Sequence, residues 1–264
     1  MRCAIWLLLV TPLPAVAKLE IKNVQPAHGP LGPARGSDDV YPLDEYLVRY
    51  QVAGVKPDKN GNVELEVSVR LTNPSGKSVY ETKPTARKFD MLLGGDVVQT
   101  FGFVTFSDKA PPGEYKLTVT VRDKGSNEST SFDRKITCKP PGFEIIAPRF
   151  FHDSDASIPA GTTLIVGETL HYRFRVIGFD TSQKRVGLVM RAVMVDSDGK
   201  TLGAKPLEVK GETADPAKAD TRRAAFSGVA ALYRAGDFKL RIEVEDTIGK
   251  KLTTFETPIK VVAP

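Results

Sequence analysis

Two of the three histidines in this 264-residue chain stand at matching places. His28 follows Leu19 by nine residues, His152 follows Phe143 by nine, and Asp153 and Asp155 lie directly beside the second. Imidazole and carboxylate gathered in one loop are the donor types of a transition-metal or polar-ligand site. His28, His152, Asp153 and Asp155 are therefore candidate loop residues for such contacts. The competing reading is inheritance from a common ancestor, which the sequence favours, because His28 sits in a Pro/Gly-rich stretch with no carboxylate before Asp38 and Asp39. Two further segments, Asp58-Lys59-Asn60-Gly61-Asn62 and Asp196-Ser197-Asp198-Gly199, place oxygen donors at the alternating positions calcium uses. Neither carries a full ligand series, and each falls where a hairpin turn is needed. His171 alternates with Arg173 and Arg175 on what reads as the outward face of a strand. No catalytic triad, phosphate-cradling glycine loop or zinc spacing is present. The chain is expected to be no enzyme and to carry no cofactor or metal.

The elements that hold these residues are duplicated. Gly113-Glu114-Tyr115-Lys116-Leu117 returns 123 positions later as Gly236-Asp237-Phe238-Lys239-Leu240, and Val121, Asp123, Thr130, Phe132 and Ile136 recur as Val244, Asp246, Thr253, Phe255 and Ile259. Apolar residues alternate with polar ones in Tyr115, Leu117, Val119 and Val121, and again in Tyr46, Val48, Tyr50 and Val52, the period of a strand with one buried face. The same rows return as Phe238, Leu240, Ile242, Val244 and as Leu170, Tyr172, Phe174, Val176. Turn residues separate the rows, and no stretch has a sustained helical period. Each copy reads as seven short strands, near residues 19, 46, 63, 78, 98, 113 and 128 in the first, a count that suits a β-sandwich. The fold expected is all-β, two tandem antiparallel sandwiches.

Comparing the copies also marks a surface. Where the first presents Glu64, Glu66, Ser68, Arg70 and Thr72 outward, the second presents Gly187, Val189, Arg191, Val193 and Val195. Val189, Arg191, Val193 and Val195 are thus a candidate contact surface, unless the segment from Glu212 to Asp220 folds across them. Lys205, Lys210, Lys218, Arg222 and Arg223 make the long connection of the second copy locally basic, a weak candidate for an anionic polysaccharide.

Pro112-Gly113-Glu114-Tyr115-Lys116-Leu117 resembles the entry to the sixth strand of immunoglobulin-like and fibronectin-type-III-like domains. The resemblance implies that Tyr115 is the tyrosine of a tyrosine corner and that both copies are immunoglobulin-like sandwiches of a generic bacterial kind. The second copy departs from it with Phe238, and the single Trp of the chain, Trp6, lies outside both copies.

Composition bounds the rest. Arg2, the apolar run from Ala4 to Val10 and Ala15-Val16-Ala17 form the pattern of a secretory signal cleaved after Ala17. Removing it leaves modules over residues 18–139 and 143–264, joined by Cys138-Lys139-Pro140-Pro141-Gly142, a linker stiff enough to suggest an elongated pair with limited bending. Only Cys138 remains, aligned with Val261 and read as a small buried side chain rather than a reactive thiol. The chain carries 37 basic against 32 acidic residues, interspersed, so neither nucleic acid nor membrane insertion is expected. The expected function is that of a non-enzymatic secreted or periplasmic binding, adhesion or structural protein, with a protein or cell-surface polysaccharide as partner. The alternative is a periplasmic chaperone of the two-domain immunoglobulin-like type; behind it stands an unrecognised hydrolase or inhibitor.

Overall fold

The computed structural model describes residues 18–183, 185–213 and 222–264. The expected signal peptide and most of the segment from Glu212 to Asp220 fall outside them. All regular structure in the described residues is β.

The first module contains β1 (Glu20–Ala27), β2 (Asp39–Val40), β3 (Glu45–Ala53), β4 (Asn62–Thr72), β5 (Ser78–Glu81), β6 (Thr85–Asp90), β7 (Val97–Thr105), β8 (Gly113–Asp123) and β9 (Ser129–Cys138). One sheet has the order β1-β3-β7; the other runs β2-β9-β8-β4-β5, with β6 also paired to β4. The second module repeats this with β10 (Glu144–Phe151), β11 (Thr163–Ile165), β12 (Thr169–Ile177), β13 (Val186–Asp196), β14 (Thr201–Thr213), β15 (Arg223–Ala231), β16 (Gly236–Asp246) and β17 (Lys251–Val262). Its sheets are β10-β12-β15 and β11-β17-β16-β13-β14. The molecule is therefore two tandem β-sandwiches. Antiparallel pairing dominates, but the short strands β2 and β11 each pair parallel with the last strand of their module. These short strands are the ones the alternation pattern does not reveal, since two or three residues cannot show a period.

The inward rows are those the alternation predicts. Tyr46, Val48, Tyr50 and Val52 face Leu65, Val67, Val69 and Leu117 in one core; Leu170, Tyr172, Phe174 and Val176 face Leu188, Met190, Leu240 and Ile242 in the other. Each such side chain, fully buried, contributes about 1.5–3 kcal/mol, which lets both cores stand without a disulfide. Cys138 is one of these core residues, free and buried, and burial pushes its thiol pKa up.

The duplication extends to backbone irregularities. Both first strands carry a register shift, between Lys22 and Gln25 and between Ile146 and Arg149. Each contains a non-glycine residue in the left-handed region, Asn23 at φ 52° and Ala147 at φ 49°. The recurring aspartates Asp123 and Asp246 are fully buried and staple the loops at the ends of the modules. Asp246 accepts hydrogen bonds from the amides of Asp180 (2.7 Å), Ile248 (3.0 Å) and Gly249 (2.9 Å). Asp123 does the same for Gly125 and Lys56 and also accepts from Ser126 Oγ.

Candidate functional site

The candidate site lies where the modules meet. The loop between β1 and β3 is held in shape by Arg35, whose guanidinium pairs with the buried carboxylate of Asp44 at 2.9 Å and donates to the carbonyls of Asp39 and Glu45. Burial raises the Asp44 pKa, with Arg35 opposing it. Beyond the linker, Asp44 Oδ1 accepts the amide of Ala147 at 3.2 Å, and Tyr41 Oη donates to Glu144 Oε1 at 3.0 Å. Gly178, at φ +69°, packs so closely on the linker that a Cβ there would lie 2.0 Å from the Gly142 carbonyl oxygen. The first module thus lies along the side of β10, a closer association than an end-to-end pair joined only by its linker.

Beside this seam opens a cleft of about 560 Å³ lined by Glu45 of the first module and by Arg149, Phe151, Arg173, Arg175 and Ser227 of the second, among others. The strand period puts these side chains together. Phe174 and Val176 point into the core, so Arg173 and Arg175 of β12 must point out; Arg149 lies opposite Arg173 on β10, and Ala225 and Ser227 lie opposite Arg175 and Arg173 on β15. Small residues on β15 leave the guanidinium groups a floor rather than a wall. Glu45 is only 17% exposed; it bonds Arg175 at 2.9 Å and also pairs with Arg149. Arg173 donates to the Ser154 carbonyl at 2.5 Å and stacks over the Phe151 ring. Three guanidinium groups face one carboxylate here, an excess of two positive charges. Such planar donor forks suit bidentate binding of carboxylate, sulfate or phosphate oxygens.

Sequence reasoning saw Arg173 and Arg175 only as neighbours of an exposed histidine. The missing signal was Arg149 and Glu45, which a within-strand pattern cannot bring together across a bulge and a linker.

The expected loop residues are not brought together. His28 packs edge-on against Phe255 of the second module, with ring centroids 5.4 Å apart, and its buried Nδ1 has no hydrogen-bond partner among the described residues. Burial, aided by the nearby charge of Arg35, lowers its pKa to about 3. His152 instead stands 3.6 Å from Glu168 at the far end of the second module. Asp153 spends its carboxylate on the amides of Ser157 and Ile158 and the Ser157 hydroxyl, which holds its pKa down to about 2. Asp155 accepts a long bond from Ser154. Among the described residues no group of three His, Cys, Asp or Glu side chains is placed to hold a metal ion. Asp58 and Asp196 likewise cap their own turns, with Gly61 and Gly199 at positive φ.

Of the candidate contact surface, Val189, Arg191 and Val193 are half-buried on the outward face of β13. Val195 corrects the expectation: it is only 2% exposed. It lies between its cross-strand neighbours Thr201 and Lys239, where the pairing of β13 with β14 resumes after a register shift whose extra residues are on β14. The polar face that β13 lacks is supplied by its neighbours, since Arg191 reaches Glu245 at 2.9 Å and Glu208 at 3.4 Å. In the basic connection, Lys218 lies outside the described residues, and Arg222 pairs with Asp108 of the first module at 2.9 Å.

No family model and no curated protein matches the chain. Among solved structures, it is similar to the C-terminal domain of the Streptococcus agalactiae antigen I/II polypeptide BspA, with 11% identity over 91% of this chain and 100% of that one, at a TM-score of 0.29. The C-terminal domain of the antigen I/II-family protein AspA of Streptococcus pyogenes gives 10% identity over 92% and 100%, also at 0.29. Red sea bream transglutaminase gives 12% identity over 94% of this chain at 0.30; the chain spans 31% of that protein's length.

Proposed function

We propose that this is a non-enzymatic, exported binding protein of two immunoglobulin-like modules that holds an acidic partner in the cleft between them. The observation that carries the reading is an open cleft lined by Arg149, Arg173 and Arg175 with a single carboxylate, Glu45, which pairs with Arg149 and Arg175 and leaves Arg173 without a carboxylate partner among the described residues. A purely structural ion pair needs one arginine for one glutamate; the surplus charge faces solvent and attracts anions at a distance. An acidic cell-surface polysaccharide or an acidic protein segment fits this charge. Polygalacturonate and poly-glutamate serve as probes in titration calorimetry. The intact protein is expected to bind at least one of them, with affinity falling as salt rises, and the Arg149→Ala/Arg173→Ala/Arg175→Ala variant to lose at least about tenfold. Equal binding by that variant, or no binding by the intact protein, would overturn the reading.

The chaperone alternative keeps one specific observation. Among the described residues β15 pairs only with β12, so its other edge, bordering the cleft, is open to an added strand. Co-expression with a pilus-type subunit lacking its own last strand would favour that reading if an equimolar complex were recovered.

A further inference from the structure

The two copies differ at one end in a way that leaves a hole. In the first module six residues separate Phe106 from Gly113, Phe106 packs edge-on against Tyr115 with centroids 5.1 Å apart, and Tyr115 Oη donates to the Pro111 carbonyl at 3.0 Å. In the second, only three residues separate Leu232 from Gly236, and Phe238 replaces the tyrosine. The shorter loop cannot close over the sandwich end. An apolar pocket of about 360 Å³ results, lined by Met194, Leu202, Leu232, Phe238 and Val261 and rimmed by Tyr233 and Arg234. Tyr233 is 84% exposed. Arg234 lies over the Phe238 ring at 5.3 Å.

The far end of the first module shows the complementary shape. Between β6 and β7 the turn Met91-Leu92-Leu93-Gly94-Gly95 projects with Leu92 91% and Leu93 102% exposed, the largest exposures among the large apolar side chains described. Gly94 and Gly95, at φ +71° and +100°, shape the tip. Asp90 and Asp96 bracket it in sequence, opposite in sign to Arg234 at the mouth of the pocket. Two adjacent leucines fully in water are costly unless something covers them.

We infer that the Leu92–Leu93 turn of one copy of this chain seats in the pocket at the far end of the second module of another copy, with Asp90 or Asp96 meeting Arg234. Turn and pocket belong to different modules, so the contact is heterologous: each bound pair still offers one free turn and one free pocket, and chains or rings result rather than a closed dimer. A contact confined to one turn and one pocket is expected to be small and reversible.

Sedimentation equilibrium over a concentration series tests this. Both test variants alter only exposed residues: Leu92→Asp/Leu93→Asp on the turn and Tyr233→Asp/Arg234→Asp on the rim. The intact protein is expected to gain mass with concentration and each variant alone to remain one chain. An equal mixture of the two variants is expected to form a two-chain species and nothing larger, because it holds one working turn and one working pocket. The inference falls if the intact protein remains one chain up to about 1 mM, a limit that bounds even a weak contact. It also falls if the turn variant assembles normally, or if the mixture recovers no pair.

Discussion

At the residue scale, His28 is where a shared position acquired an unshared environment. The nine-residue step that pairs it with His152 was legible in the sequence, which made both candidate loop residues while favouring inheritance as the reason for the match. Burial against Phe255 instead makes it a neutral wedge in the seam. The sign of its pH effect follows from the direction of its shift. A histidine whose pKa falls to about 3 on folding, from its ordinary value of 6.5, stabilises the folded state fully above pH 6.5. That contribution is lost as pH falls toward 3, because the unfolded chain binds the extra proton, at a limiting slope of about 1.4 kcal/mol per pH unit. Thermal melts between pH 7 and pH 4 are expected to show a steeper loss of stability for the intact protein than for His28→Gln. Parallel curves would contradict the assignment.

At the element scale, most of the fold was readable. A period of two over four or more residues gives the inward rows of β3, β4, β8, β12, β13 and β16, and Asn73-Pro74-Ser75-Gly76 gives its turn, with the Asn73 carboxamide oxygen accepting the amides of Ser75 and Lys77. What escaped was short or irregular: β2 and β11, the break between β5 and β6, the register shift between β13 and β14, and the burial of Val195. The corner tyrosine was legible because Tyr115 follows Pro112-Gly113-Glu114, and its hydroxyl reaches the Pro111 carbonyl as the resemblance implies. Tyr115→Phe is expected to cost about 0.5–1.5 kcal/mol, plus the desolvation of the carbonyl it leaves. Phe238→Tyr gains no matching bond, because its loop is three residues shorter. Denaturant melts of the two variants decide this; unchanged stability in Tyr115→Phe would mean that the corner contributes nothing, and a gain in Phe238→Tyr would mean that its loop does supply a partner.

At the scale of the whole molecule, the duplication explains the architecture, while the proposed binding cleft lies where the copies meet and the apolar pocket where they differ. Glu45 belongs to one copy and Arg149, Arg173 and Arg175 to the other, so no pattern within a single repeat could mark the cleft. The apolar pocket arises from a deletion of three residues, visible in the sequence only once the structure shows that the longer loop of the first copy closes its sandwich. Arginine side chains report the central claim most directly. In nuclear magnetic resonance titrations with a polygalacturonate oligomer, the Nε–H resonances of Arg149, Arg173 and Arg175 are expected to shift together and saturate, while those of Arg70 and Arg122, on the opposite sheet of the first module, stay in place. Shifts spread evenly over all the arginines, or confined to residues outside the cleft, would contradict it.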